Sequence, residues 1–177
     1  MGGLILGSKD YIEEVYTFCR STGPAISPFN AWTLSKSLET LEIRMERHCK
    51  SALELATALE SHPDIEKVNY PFLLSHSQFD IAKEQMKKGG GIVTFEVEGG
   101  LERGIKFLDA IKLCSLSANL GDSRTIITHP ASTTHYKLTD EERASVGITP
   151  GLIRVSVGLE NIIDIINDIE QALVVSK

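Results

Sequence analysis

Hydrophobic positions beyond residue 60 change repeatedly between the strand period of two and the helix period of 3.6. Polar and glycine-containing stretches separate these segments. Strands are predicted at 65–70, 91–98, 113–118, 124–128 and 152–157, and helices at 76–88, at 101–111, after Thr139 and from Asn161 onward. We therefore expect an α/β domain whose sheet is covered by helices on one face.

The alternation of side chains along the strands indicates which positions meet those helices, because successive residues point to opposite faces. The positions predicted to face the helical layer are Val93, Phe95, Val97, Ile153, Val155 and Val157, and the last helix presents Ile162, Ile166, Ile169 and Leu173. Residues between them on each strand should point to the opposite, open face of the sheet.

The first sixty residues follow a different pattern. Residues 1–7 are apolar and predict a short strand, 10–20 predict a helix, and 21–25 (Ser-Thr-Gly-Pro-Ala) predict a loop. Ser27-Pro28 provides the cap and first turn of a long helix that Pro63 ends. Its apolar stripe is predicted to be core: Leu34, Leu38, Leu41, Met45, Cys49, Ala52, Ala56 and Leu59. A helix of this length can link two structural units.

Composition narrows the classes of protein to be considered. With 177 residues and 42% hydrophobic content, the chain can bury the core of one domain. Its net charge of −6 argues against binding to nucleic acid or to an anionic membrane. Three widely spaced cysteines suggest neither a disulfide framework nor a zinc site. Without a long apolar run or a secretory signal pattern, we expect a cytoplasmic protein.

Arg154 is the first candidate for a ligand-binding residue. It alternates with Ile153 and Val155, so it should point away from the helical layer. A guanidinium on a rigid strand suits bidentate binding of a carboxylate. The same position also suits an arginine that pairs with a surface glutamate. Strand geometry alone leaves both interpretations open and favours the surface pair.

Two polar segments precede Arg154. Residues 119–122 (Asn-Leu-Gly-Asp) predict a tight turn, and residues 128–135 (Thr-His-Pro-Ala-Ser-Thr-Thr-His) place six hydrogen-bonding side chains around a proline. That second segment could line a ligand site or lie in solvent. Its histidines lack metal-ligand spacing, Ser132 is not in a nucleophile elbow, and Gly89-Gly-Gly91 is not a phosphate loop. We expect neither a metal site nor a catalytic nucleophile.

Taken together, several ordered segments resemble the Cys/Met-metabolism family of pyridoxal-phosphate (PLP) enzymes, which includes homoserine-ester sulfhydrylases, cystathionine synthases and lyases, and methionine γ-lyase. The matching segments are Met1-Gly-Gly, Ser27-Pro-Phe-Asn-Ala-Trp32, Leu38-Glu-Thr-Leu41, Arg44-Met-Glu-Arg-His48, Val68-Asn-Tyr-Pro71, Gly90-Gly-Ile, His129-Pro-Ala-Ser-Thr-Thr-His135 and Leu152-Ile-Arg-Val-Ser-Val-Gly-Leu-Glu160. The resemblance covers nearly the whole chain.

The resemblance implies a fold and a set of site residues. Residues 1–45 would be the tail of a large PLP-binding domain and the start of a linking helix. Residues 46–177 would be the small C-terminal domain of a fold-type-I, aspartate-aminotransferase-like enzyme. By the same resemblance, Arg154 binds the substrate α-carboxylate, Thr134 lies near the cofactor lysine and the substrate, and Asn119 joins them as a substrate-binding residue.

The resemblance also implies a reaction. The Asn119-x-Gly-Asp form is more similar to the O-acetylhomoserine sulfhydrylase branch, so we expect part of a sulfhydrylase that makes homocysteine from O-acetyl- or O-succinylhomoserine and a sulfur donor. Methionine γ-lyase and cystathionine γ-synthase or lyase are the alternatives. From another class, the chain could be an inactive binding or oligomerisation fragment.

The family's Schiff-base lysine precedes a Gly-Gly pair like Gly2-Gly3, so it would lie upstream of this sequence. The chain alone is therefore expected to bind no PLP covalently and to be inactive. The implied partners are an amino-acid substrate, the upstream large domain and further copies of the protein, since relatives are commonly tetramers.

Overall fold

The computed structural model describes residues 2–177. The chain forms two compact units, one ending at Ile43 and one starting at Arg44. The first unit contains α1 (Lys9–Thr22) and α2 (Pro28–Glu39), and α3 (Leu41–Glu60) begins near its end. No helix in the described part of the chain is long and apolar enough to cross a lipid bilayer.

The signals that begin and end the first helices act as predicted. Gly23 ends α1 in the left-handed conformation (φ 78°), and its N–H donates to the carbonyl of Cys19. Ser27 caps α2 by accepting a hydrogen bond from the N–H of Asn30 at 3.2 Å. Pro28 occupies the first turn, where its missing N–H has no cost.

The predicted strand at 1–7 is wrong for the described residues. Residues 2–8 form neither helix nor strand, and no other segment of 2–177 pairs with them. Met1 lies outside the described residues. A strand requires a hydrogen-bonding neighbour, so apolar composition alone does not create one.

The single long helix predicted after Pro28 is two helices. Thr40 separates them with φ −110° and ψ 7°, and its N–H bonds to the carbonyl of Leu38. Threonine is branched at Cβ and is a weak helix former, which favours a break at this position.

The apolar stripe along these two helices is only half buried. Its later members Cys49, Ala52, Ala56 and Leu59 are buried, whereas Leu34, Leu38, Leu41 and Met45 are 38–55% exposed. Of the buried members, Ala52, Ala56 and Leu59 belong to the core cluster that includes the strands of the second unit. The earlier ones meet no comparable apolar surface within residues 2–177.

The second unit is built on a five-stranded sheet with the order β1-β2-β5-β4-β3. Its strands are β1 (Ile65–Asn69), β2 (Ile92–Val97), β3 (Ser115–Leu116), β4 (Ile126–Thr128) and β5 (Leu152–Ser156). All neighbouring pairs are antiparallel except β3 and β4, which are parallel. Strand β5 thus lies at the centre, where it is hydrogen-bonded on both edges.

Helices cover one face of this sheet, as predicted. They are the later part of α3, α5 (Gly100–Ala110) and α7 (Ile162–Val175), and the unit also contains the short helices α4 (Phe79–Gln85) and α6 (Asp140–Ser145). Side chains of α3, α5 and α7 form one core cluster with the strands. That core includes every strand position predicted to face it: Val93, Phe95, Val97, Ile153, Val155 and Val157. The residues between them on each strand lie on the opposite, open face of the sheet, and they include Thr94, Arg154 and Ser156.

Helix α4 is shorter than the prediction of 76–88. The N–H groups of Leu73, His76 and Phe79 each bond to a carbonyl three residues earlier, at 3.0–3.1 Å. These are turn hydrogen bonds, so the α-helical pattern starts only when the N–H of Ala82 reaches the carbonyl of Gln78.

Asp168 fixes the connection between α5 and β3. Its carboxylate is 6% exposed and accepts the N–H groups of Lys112, Leu113 and Cys114 at 2.8–3.0 Å. Burial raises the pKa of this carboxyl, but the three N–H donors lower it by more, so the pKa lies below its ordinary value. The carboxylate therefore holds the backbone of 112–114 in the connection before β3, although the strand was predicted to begin at 113.

We expect Asp168→Asn to lower the free energy of unfolding by about 2 kcal/mol. The amide NH₂ cannot accept, so at least one buried N–H in 112–114 loses its partner. Glu170→Gln on the exposed face of α7 is the matched control and should have little effect. Urea denaturation at neutral pH measures both, and equal stabilities would contradict the role of Asp168.

Candidate functional site

Four polar side chains form a row across the open face of the sheet. Thr94 on β2 and Thr128 on β4 lie directly opposite Arg154 on β5, and Asn69 on β1 lies opposite Thr94. Residues paired in this way point to the same face. Ile153 is fully buried on the helical side, so Arg154 points to the open face, as the alternation predicted.

The guanidinium of Arg154 contacts backbone oxygens instead of an acidic side chain. Its Nη2 donates to the carbonyls of Ala118 at 2.7 Å and Asn119 at 3.3 Å. Within residues 2–177, no carboxylate oxygen lies within 4.0 Å of it. The structure therefore does not pair Arg154 with a surface glutamate. The N–H groups of Nε and Nη1 make no hydrogen bond within residues 2–177.

Two clefts include neighbours of Arg154 in the sheet, but Arg154 itself lines neither of them. Thr94 helps to line one of about 300 Å³, which also includes Ile148 and Leu152. Thr128 lines another of about 260 Å³ together with Ala118. The second cleft is also lined by Leu108 and Asp109 of α5, so it borders the helical layer. Arg154 itself is half-buried.

The segment from Ala118 to Thr125, called here the 118–125 loop, lies beside Arg154. Gly121 has φ 81°, as the predicted tight turn requires, and its N–H donates to Oγ of Ser156 at 3.0 Å. Asn119 is exposed, and its carbonyl bonds to Arg154. The structure therefore brings Asn119 and Arg154 together.

Asp122 stabilises the same loop. Its Oδ1 accepts the backbone N–H of Arg124 at 3.0 Å, and its Oδ2 pairs with the Arg124 guanidinium at 3.2 Å. The Arg124 side chain, more than its backbone N–H, lowers the pKa of Asp122 to about 2. Asp122 thus satisfies a local amide, as predicted, and is ionised at neutral pH.

The segment 128–135 mostly satisfies its own polar groups. Thr128 Oγ1 lies 3.0 Å from Thr133 Oγ1, and Thr133 Oγ1 donates to the carbonyl of His129. A 3₁₀ turn, Pro130–Ser132, forms its centre. Thr134 is exposed, and its Oγ1 lies 2.8 Å from Nδ1 of His135. The structure does not link Thr134 to Arg154 by a hydrogen bond.

His129 is fully buried in this segment. Its Nε2 lies 2.7 Å from the carbonyl of Pro150 and its Nδ1 lies 2.8 Å from Oγ of Ser132. The neutral ring fits if Nε2 donates to the carbonyl and Nδ1 accepts from the hydroxyl. Residues 2–177 hold no cluster of three metal-ligating side chains, and His129 acts as a structural residue.

Burial makes stability depend on pH through His129. Burial lowers the pKa of the His129 ring below the ordinary value of about 6.5, and the hydrogen bond to the Pro150 carbonyl raises it by less. Above pH 6.5 the folded and unfolded states both hold a neutral ring. As the pH falls below 6.5, the unfolded chain binds a proton first, so stability decreases until the folded pKa is passed.

We therefore expect the free energy of unfolding to fall as the pH decreases from 6.5 to about 5.5, above the range in which most carboxylates titrate. His129→Gln should have a smaller slope in that range. Urea denaturation at several pH values measures the slope, and an identical slope in both proteins would contradict this role.

Sequence reasoning missed Ser156, Glu160 and Thr125. Ser156 is buried on the open face, two residues after Arg154. Glu160 accepts the N–H and the hydroxyl of Thr125 at 2.6 and 2.9 Å. Because alternate residues of a strand share a face, the sequence could have placed Ser156 on the same face as Arg154. No sequence signal could have revealed the partner of Glu160.

Known proteins resemble this chain in sequence and structure. The chain is 53% identical over 156 residues to an O-acetyl-L-homoserine sulfhydrylase of Leptospira meyeri, covering 87% of this chain and 35% of that protein. It is 47% identical to an L-methionine gamma-lyase of Porphyromonas gingivalis and to an O-succinylhomoserine sulfhydrylase of Pseudomonas aeruginosa. Each match covers 98% of this chain, but 44% and 43% of the relative.

A solved structure assigned as an O-acetylhomoserine (thiol)-lyase of Campylobacter jejuni has the same fold. The TM-score is 0.84 with 42% identity, over 95% of this chain and 40% of that one. That protein carries N'-pyridoxyl-lysine-5'-monophosphate.

The chain thus spans about two fifths of the length of the relatives it matches. The sequence pattern of the Cys/Met metabolism PLP-dependent enzymes matches residues 1–174. On this evidence, the chain belongs to the Cys/Met metabolism PLP-dependent enzyme family.

Proposed function

We propose that this chain is the C-terminal part of a sulfhydrylase that makes homocysteine from O-acetyl- or O-succinylhomoserine and a sulfur donor. The observation that carries the proposal is the half-buried Arg154, whose guanidinium contacts only two backbone carbonyls among residues 2–177. Such a group suits the α-carboxylate of an amino-acid substrate. Similarity to sulfhydrylases of both ester types supports the reaction.

Arg154 would fix the carboxylate, and this would orient the rest of the substrate relative to the reacting atoms. Asn119 lies in the adjacent loop, where its exposed side chain can approach the same ligand. Thr134 is exposed in the segment after β4 and is proposed to face the cofactor lysine in the complete protein.

The residues of this chain fit the substrate carboxylate better than they fit covalent attachment of PLP. Every lysine in residues 2–177 is exposed, whereas a lysine that bonds to the cofactor aldehyde must lie in the site and lose its proton. We derive no chemical step through PLP from these residues. In the complete enzyme, PLP would supply stabilisation of negative charge on the substrate.

Methionine γ-lyase is the second candidate, because a protein of that name is 47% identical over nearly the whole chain. The complete protein should be assayed with each homoserine ester plus sulfide, and with methionine alone. Homocysteine from an ester is the expected product. Methanethiol from methionine as the faster reaction would favour the lyase. No turnover of any of them would favour a binding or oligomerisation role.

We further propose that residues 1–45 complete a large PLP-binding domain, that 46–177 form the small domain, and that the complete protein is a homo-oligomer. In support, α1 and α2 bury no residue within the described chain. Large side chains such as Tyr11, Phe18, Phe29 and Trp32 are more than half exposed. Surfaces of this kind usually contact further protein. Light scattering on the complete protein tests the assembly.

A further inference from the structure

We propose that Ser156 is a positioning residue that holds the 118–125 loop, and with it Asn119 and the guanidinium of Arg154, in the geometry that receives the substrate carboxylate. This inference rests on the function proposed above. It adds a residue that does not touch the substrate and acts through two residues that would.

Successive open-face positions of β5 and the turn after it bond to successive points of the loop. Arg154 donates to the carbonyls of Ala118 and Asn119, and Ser156 accepts the N–H of Gly121. The N–H of Gly158 donates to Oγ1 of Thr125 at 2.8 Å. These contacts follow one another at intervals of two residues along the strand, because alternate residues share a face.

The contact made by Ser156 differs from the others in its position. Ser156 is 3% exposed, and its Oγ accepts from Gly121 at the centre of the turn, where Gly121 adopts the left-handed conformation. The contacts at Thr125 lie at the far end of the loop, next to β4. Without the Ser156 hydroxyl, the part of the loop that carries Asn119 would keep the contacts with Arg154 and a 3.3 Å bond from the Asn119 N–H to Ser117 Oγ. The bond from the Leu159 N–H to the Ser123 carbonyl lies beyond the turn.

Arg154 would then serve two competing partners. A ligand carboxylate attracts the guanidinium, while the carbonyls of Ala118 and Asn119 need Nη2 to stay in place. The hydroxyl of Ser156 supports the loop independently, so Arg154 can bind a ligand without also carrying the whole loop. A fixed surrounding of this kind keeps a binding group in its productive position.

The test uses the complete protein with Ser156→Ala, and Ser123→Ala as the matched control. Ser123 lies in the same loop but is exposed, and its hydroxyl contacts only Asp122 among residues 2–177. We expect Ser156→Ala to raise the KM for the amino-acid substrate about fivefold, as loss of one hydrogen bond predicts, with kcat changed less than twofold. Ser123→Ala should change both less than twofold.

A second readout does not depend on turnover. Deuterium uptake by residues 117–123 should become faster in Ser156→Ala and stay unchanged in Ser123→Ala, while uptake by α7 is the same in all proteins. An unchanged KM or unchanged uptake in Ser156→Ala would overturn the inference. If Arg154→Ala raises the KM and Ser156→Ala does not, only this inference fails. If Arg154→Ala has no effect either, the proposed function fails as well.

Discussion

Replacing Arg154 with alanine in the complete protein is expected to raise the KM for the amino-acid substrate strongly and to lower kcat. Two charge-assisted hydrogen bonds to a carboxylate would be lost, which costs about 3 kcal/mol, or about 150-fold in kcat/KM. kcat should fall because a substrate with a free carboxylate is no longer held in the reactive orientation. Steady-state kinetics with the best homoserine ester measures both constants.

Two further variants make this experiment specific. Arg154→Lys keeps the charge but loses the planar fork, so its kcat/KM should lie between those of the wild type and Arg154→Ala. Arg20→Ala removes an exposed arginine from α1 and is the control for loss of charge. Unchanged kinetics in Arg154→Ala would refute the proposed role, and equal losses in Arg20→Ala would show that the effect is not local.

Replacing Gly158 with alanine is expected to destabilise the protein by about 3 kcal/mol. A Cβ at this position would collide with the backbone nitrogen of Thr125 and the carboxylate of Glu160, and it would lie 2.5 Å from the carbonyl carbon of Arg124. Both backbone atoms belong to the end of the 118–125 loop, directly before β4. The backbone must therefore shift to make room, which separates β5 from the loop it holds.

Thermal unfolding measures this effect, and Gly3→Ala is the matched control. A Cβ on Gly3 would meet no atom within 4 Å, so the unfolding temperature should stay close to that of the wild type. A Gly158→Ala protein as stable as Gly3→Ala would show that the strand and the loop separate easily. That result would also weaken the role assigned to Ser156.

The sequence predicted the second unit well, because its strands have one clearly buried face. Val93, Phe95 and Val97 all lie in the core, as their alternation required. The capping box at Thr139 is also present, with Thr139 and Glu142 bonding reciprocally. In both cases the informative pattern spans only a few residues, although the residues that bury the strand face lie far away along the chain.

The first unit was predicted less well for the opposite reason. The apolar run at 1–7 and the stripe from Leu34 to Met45 depend on surfaces that residues 2–177 do not provide. Hydrophobic spacing reports that a face tends to be buried, but it does not report what buries it. The break at Thr40 was not predicted either, because one weak helix former inside a helical pattern does not by itself end a helix.

The candidate site was predictable only in part. Strand alternation placed Arg154 on the open face, and the turn chemistry of 119–122 was correct. The order of the strands and their register are long-range properties, so the sequence could not show that Thr94 and Thr128 flank Arg154. It also could not show that Ser156 reaches Gly121, thirty-five residues earlier in the chain.

The most direct test of the account compares an amino-acid ligand with its carboxamide in the complete protein and in Arg154→Ala. If Arg154 receives the carboxylate, the wild type should bind the acid about 100-fold more tightly than the amide, and Arg154→Ala should discriminate less than about threefold. Equal preference for the acid in both proteins would contradict the central claim, because the carboxylate would then be recognised by another group.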